Sequence, residues 1–102
     1  NHSSAASDVY KRQDYYLKDR LFIQGLIQLS VSFVHLKNNN MNGAKSLLNK
    51  CKQKFEGFDI QRGIDVKKLL ISIEKVQDNY DHINSSEDFN WNLVPRLGQN
   101  FE

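Results

Sequence analysis

Cysteine and proline are nearly missing from this chain: each occurs once, as Cys51 and Pro95. A single thiol excludes an internal disulfide and any metal site built on several cysteines. It points to a reducing compartment, the cytoplasm or an organelle stroma. A lone proline close to the C-terminal end leaves the rest free of the residue that breaks helices most firmly. A dominant charge is missing too. Fourteen Lys and Arg face twelve Asp and Glu, and a net charge of +2 is too near balance to argue for a nucleic-acid or membrane partner. The longest apolar stretch, Leu21 to Leu36, is interrupted by Gln24, Gln28, Ser30, Ser32 and His35, too polar for a membrane span. There is no phosphate-binding glycine loop, no HExxH and no nucleophile elbow. No reaction or cofactor can therefore be named from a motif, and whether the chain is an enzyme stays open.

What is present is a globular composition, 39% hydrophobic and 25% charged over 102 residues, enough for one small domain and too apolar for a disordered chain. Residues 1–13 stand apart. Ser3 to Gln13 reads SSAASDVYKRQ, the same string that a common transposase-type sequencing adapter gives when translated in one frame. We read residues 1–13 as an artefactual or disordered leader and leave them out of the fold reasoning. Removing Asp8, Lys11 and Arg12 takes a net +1 away from +2 and leaves +1. The domain proper is expected over residues 14–97, truncated at its N-terminal side, with 98–102 frayed.

Three helices are legible. The first, about 14–37, carries apolar residues almost all the way round: Leu17, Leu21, Phe22, Ile23, Leu26, Ile27, Leu29, Val31, Phe33, Val34 and Leu36. Such a helix is expected to be central and covered on several sides. Gly25 inside it costs about 1 kcal/mol relative to Ala, which close approach of a neighbouring helix would justify. Asn38, Asn39 and Asn40 form a break, since Asn tolerates left-handed backbone. A second helix, about 42–56, has the stripe Ala44, Leu47, Leu48, Cys51 and Phe55, with Gly57 as its stop. The short break makes the two helices antiparallel neighbours. A loop follows, and Asp65 then caps a third helix, about 66–83, with the stripe Val66, Leu69, Leu70, Ile73, Val76, Tyr80 and Ile83. The tail from Glu87 is expected to be extended, its aromatics Phe89 and Trp91 lying over the bundle. The fold class is thus all-α, a small antiparallel helical bundle.

The candidate site is a polar seam inside the first helix. Gln24, Gln28, Ser32 and His35 follow at i, i+4, i+8 and i+11 and share one face. Polar groups on a buried helix must find partners or cost roughly 1–3 kcal/mol each. They either satisfy one another in a packed interior, or line a polar cleft. A lone His on a helix is weak evidence for catalysis or metal. His82 with Glu74, Asp78 and Asp81 has spacings that would suit a divalent ion, and reads more simply as a solvated helix end. Lys45, Lys50, Lys52 and Lys54 read as the exposed face of the second helix, and Cys51 as a small core residue. No metal ligand is assigned.

The run FIQGLIQLSVSFVHLKNNNMNGAKSLL, Phe22 to Leu48, followed by RGIDVKKLL, Arg62 to Leu70, resembles the family catalogued as domain of unknown function 309. The carrying residues are Gln24, Gly25, Leu26, Ile27, Gln28, His35, Asn40, Gly43, Ala44, Leu47 and Leu48, then Gly63, Ile64 and Asp65. The ending Leu93 to Leu97 is similar to the Pro-basic-aliphatic close of some members. The resemblance implies a compact helical bundle and no established activity. It also implies an earlier helix with a His-Glu, which this chain lacks. Two functions follow as expectations. One is a binding or scaffolding module that self-associates or takes a protein partner, because three helices do not cover this much apolar surface. The other is an enzyme or metal-binding protein whose polar site is shared between Gln24, Gln28 and His35 and that missing helix.

Overall fold

The computed structural model describes the backbone of residues 2–95 and the side chains of residues 15–95. Three helices dominate: α1 (His2–Lys37), α2 (Met41–Phe55) and α3 (Val66–His82), with a two-stranded hairpin, β1 (Ile60–Gln61) and β2 (Ile64–Asp65), between the last two. The small all-α bundle read from the periodicity is the fold. α1 begins at His2 rather than near Asp14, so its backbone runs on through the stretch set aside as a leader. The expected fraying at 98–102 lies outside the described residues.

The turn between α1 and α2 shows how three asparagines end one helix and begin the next. Asn39 takes a φ of 60°. Its N–H donates to Leu36 O and that of Asn40 to His35 O, the paired bonds of a Schellman ending that satisfy carbonyls the helix would leave open. Asn40 then starts α2: its side-chain Oδ1 accepts from Gly43 N at 3.0 Å. Reversing the chain in so few residues lays α2 back along α1. The ring of Phe55, at the far end of α2, sits on Gly25 of α1, where an added Cβ would stand 2.6 Å from Cε1. This is the close approach that the glycine implied. α3 packs against α2 and reaches α1 through the Tyr80 side chain, its start capped by Asp65 accepting from Lys68 N.

The core forms where the three stripes meet. Phe22, Leu29 and Leu36 of α1, Ala44, Leu48, Cys51 and Phe55 of α2, and Val66, Leu69, Ile73, Val76 and Tyr80 of α3 are buried, with Ile64 and Phe89 closing the ends. Burial of the Cys51 thiol raises its pKa to about 12, and its S–H donates to Leu48 O. It is the core residue expected and a poor nucleophile.

Three expectations need correction. The segment 58–64, expected as plain loop, contains the hairpin, turned by Arg62 (φ 52°) and Gly63 (φ 75°). Two residues with positive φ match the twist of antiparallel strands. The tail is not extended over 86–93. It coils into 3-10 turns at Ser86–Asp88 and Trp91–Leu93, because Ser85 and Asn90 side chains accept from backbone N–H groups two residues on. Phe89 is thereby drawn in between Tyr80 and Phe33.

α1 also departs from its expected central place. Phe22, Gly25, Leu29, Ser32 and Leu36 are covered, and Leu26 and Phe33 are partly so. Leu17, Leu21, Ile27 and Val34 are exposed. α2 lies along one side of α1, α3 adds side chains such as Tyr80 to the same core, and the opposite side of α1 stays open.

Candidate functional site

The polar seam of α1 is divided by the fold. Gln24 is exposed. Gln28 is half-buried, and its Oε1 is enclosed without a hydrogen-bond partner. Ser32 is fully buried at the junction of all three helices. Its Oγ donates to Ala44 O of α2 at 2.7 Å and lies 3.2 Å from the Tyr80 hydroxyl of α3. A serine hydroxyl has one proton, and Ala44 O can only accept, so Tyr80 is the donor to Ser32. Burial raises the pKa of Tyr80, against the opposing pull of the Ser32 bond, and the phenol remains a neutral donor. Ser32 thus links three helices.

His35 stands at the helix corner, half-buried. Asn40 Nδ2 lies 3.3 Å from its Nδ1. An amide nitrogen can only donate, so Nδ1 accepts. A Cβ on Gly43 would come within 3.1 Å of the His35 ring and 2.7 Å of Asn40 Nδ2. Glycine at that position makes room for the imidazole and the cap together. His35 therefore belongs to the turn, Ser32 to the core and Gln24 to the surface. The seam joins these residues along one helix, but the hydrogen bonds do not connect them to one another.

A second polar cluster escaped the sequence reading. Arg62 sends Nε to Asp19 Oδ1 at 2.8 Å and Nη2 to Oδ2 at 2.7 Å, and Gln61 Nε2 donates to Oδ1 at 3.0 Å. A guanidinium fork on a carboxylate is the strong form of an ion pair. The Arg62 and Gln61 hydrogen bonds hold the Asp19 carboxyl down at about 2, and Asp19 in turn raises Arg62. The pair ties the hairpin to α1, and it fixes a non-glycine residue in left-handed backbone. The only cue was Arg-Gly between two short β-compatible pairs, and Arg is not among the residues that announce such a turn. Beside it opens a cleft of about 510 Å3 between α1, the end of α2 and the hairpin, with Leu21, Phe58 and Ile60 among its walls and Lys18, Lys54, Glu56 and Asp59 around them.

The carboxylates near His82 do not assemble. His82 Nδ1 lies 2.7 Å from the carbonyl of Asp78 and 3.5 Å from its carboxylate. That backbone bond, then the Asp78 charge, raises the His82 pKa. Among the described residues no group of three or more His, Cys, Asp or Glu is placed to hold a metal ion. Lys52 leans across to Gln77 and Glu74 of α3. Among the described residues no helix is long and apolar enough to cross a membrane.

Residues 10–47 match the model of the family described as "Domain of unknown function (DUF309)". The resemblance read from the sequence is thus shown over most of α1, the asparagine turn and the first half of α2. The later stretches, Arg62 to Leu70 and Leu93 to Leu97, lie beyond the matched residues. No curated protein matches the chain. No solved structure matches it either.

Proposed function

We propose that this domain is a binding or scaffolding module that works through protein–protein contact on α1. The observation that carries the reading is the apolar row Tyr16, Ile23, Ile27 and Val34 on the side of α1 opposite its packed core, with Tyr16, Ile27 and Val34 exposed. Apolar side chains at successive turns of one helix form a continuous strip, and such strips on small domains mark surfaces that associate. The partner is a protein or a second copy, rather than nucleic acid or a membrane. The near-balanced charge supports this, and the single unpaired thiol fits a reducing cytoplasm or organelle stroma. The test is the hydrodynamic size of the protein in an extract of its source cells. A particle clearly larger than one copy of the natural protein is expected. A monomer-sized particle there would remove the reading.

A second reading rests on Gln28, whose enclosed Oε1 has no partner. A polar site shared by Gln24, Gln28 and His35 with an additional His/Glu-bearing helix would supply one. Metal analysis of the natural protein against its His35→Ala variant tests it. Stoichiometric metal lost in the variant supports the second reading, and equal, negligible metal in both removes the metal form of it.

A further inference from the structure

The outer side of α1 carries a row of residues at alternating spacings of four and three: Tyr16, Arg20, Ile23, Ile27, Ser30 and Val34. That alternation averages 3.5 residues and keeps the row on one seam, the pattern by which two helices lie side by side. Tyr16 is 68% exposed, Ile27 57% and Val34 54%. Ile23 is half-buried, and Arg20 and Ser30 are exposed. Arg20 is the only charge in the row.

We propose that this seam docks on the same seam of a second copy of the chain, with the two α1 helices antiparallel. The inference rests on the binding-module reading above and names its partner. Self-complementarity is the first argument. In the antiparallel register where paired residue numbers sum to about 50, Tyr16 meets Val34 of the second copy and Ile23 meets Ile27. Arg20 meets Ser30, and each pair occurs twice about the two-fold axis, as a closed dimer requires. Ser30 spends its proton on Leu26 O at 3.1 Å, so its oxygen is left to accept from the guanidinium. A parallel arrangement would instead set Arg20 against Arg20, like charges at close range.

Area is the second argument. Fully burying an aliphatic side chain removes on the order of 100 Å2, and an aromatic one more. Tyr16, Ile27 and Val34 keep little more than half of that, and the exposed Arg20 and Ser30 with the half-buried Ile23 bring the row to roughly 500 Å2 per copy. The two copies together reach about 1,000 Å2, the lower bound for a specific interface. An interface at that bound is weak and reversible.

The experiment is sedimentation equilibrium of the purified full chain across the micromolar range, with Ile27→Asp, Ile27→Ser and two single-cysteine variants, Ile23→Cys and Ile27→Cys. A monomer–dimer equilibrium is expected. Ile27→Asp and the milder Ile27→Ser each weaken it, the former more than tenfold, while the thermal melt of dilute protein stays unchanged. Oxidising a mixture of the two cysteine variants yields a cross-linked dimer that neither yields alone, and Cys51, being buried, does not interfere. The proposal is overturned by a monomer at every concentration, by self-association that ignores Ile27→Asp, or by cross-linking of Ile27→Cys with itself. If the purified protein is monomeric but the source extract holds it in a larger particle, only the second-copy inference falls. Monomers in both remove the binding-module reading as well.

Discussion

The two sides of α1 are built from nearly the same residue types and do different things. The inner side places Phe22, Leu29 and Leu36 in a closed core, with one serine whose hydroxyl is fully used. The outer side leaves Ile27 and Val34 exposed and Ile23 half-buried, alongside a glutamine, Gln24, that the helix leaves in water. Hydrophobicity alone did not separate them. α2 and α3 approach from one direction, so the same side chains became core on one side and an open strip on the other.

Truncations should differ most sharply across this divide. Phe22→Ala removes a fully buried ring lying against Phe55 and Phe58. It is expected to cost about 3–5 kcal/mol in urea unfolding. Ile27→Ala, at an exposed site, should stay within about 0.5 kcal/mol for the monomer. Equal losses at the two positions would mean that the outer side is covered in the folded chain itself.

Ser32→Ala is expected to cost about 1–3 kcal/mol, because Tyr80 keeps a buried hydroxyl with no partner. The double variant Ser32→Ala/Tyr80→Phe should recover part of that loss. A single variant as stable as the parent would show that the three-helix link contributes nothing.

Gly25→Ala carries a smaller effect of opposite sign to the usual helix rule. Alanine gains about 1 kcal/mol of helix propensity over glycine, but its Cβ would meet the buried Phe55 ring at 2.6 Å, and overpacking costs about 1–3 kcal/mol. Net destabilisation of about 1 kcal/mol is expected from thermal unfolding. A raised melting temperature would place Phe55 elsewhere.

The smallest expected effect concerns the hairpin. The hairpin's Arg62 and Gln61 side chains donate to the Asp19 carboxylate and depress its pKa to about 2. The stability from this tie is therefore fully present above the ordinary carboxyl value near 4 and is lost as pH falls towards 2. Carboxyl 13C shifts should show Asp19 titrating near 2, and Arg62→Ala should raise it towards the ordinary carboxyl value, with the Gln61 bond still holding it somewhat low. An Asp19 midpoint already near 4 in the parent would show that the tie does not form in solution.

Much of this was readable in advance, for reasons specific to each residue. The stripes of α2 and α3 were legible because both helices are one-sided, and period then fixes which residues meet the core. Asn40 and Asp65 were legible as local devices, each needing only its own backbone three residues on. Arg62 and Asp19 were not, since they are 43 positions apart and only the hairpin's placement brings them together. Likewise nothing local distinguishes Ser32, enclosed by two other helices, from Gln24, two turns away and exposed. The seam could be seen as a line on a helix, but its division among core, corner and surface could not.

By itself, then, the order of amino acids determined the helices, their caps, the three-asparagine reversal and the need for a close neighbour at Gly25, because each depends on contacts within a few residues along the chain. Only the tertiary structure decided which half of an all-round apolar helix would be covered, which polar groups would be joined across helices, and that an arginine would hold a hairpin to α1. Those outcomes depend on the direction from which distant segments arrive, and helical period carries no information about that direction.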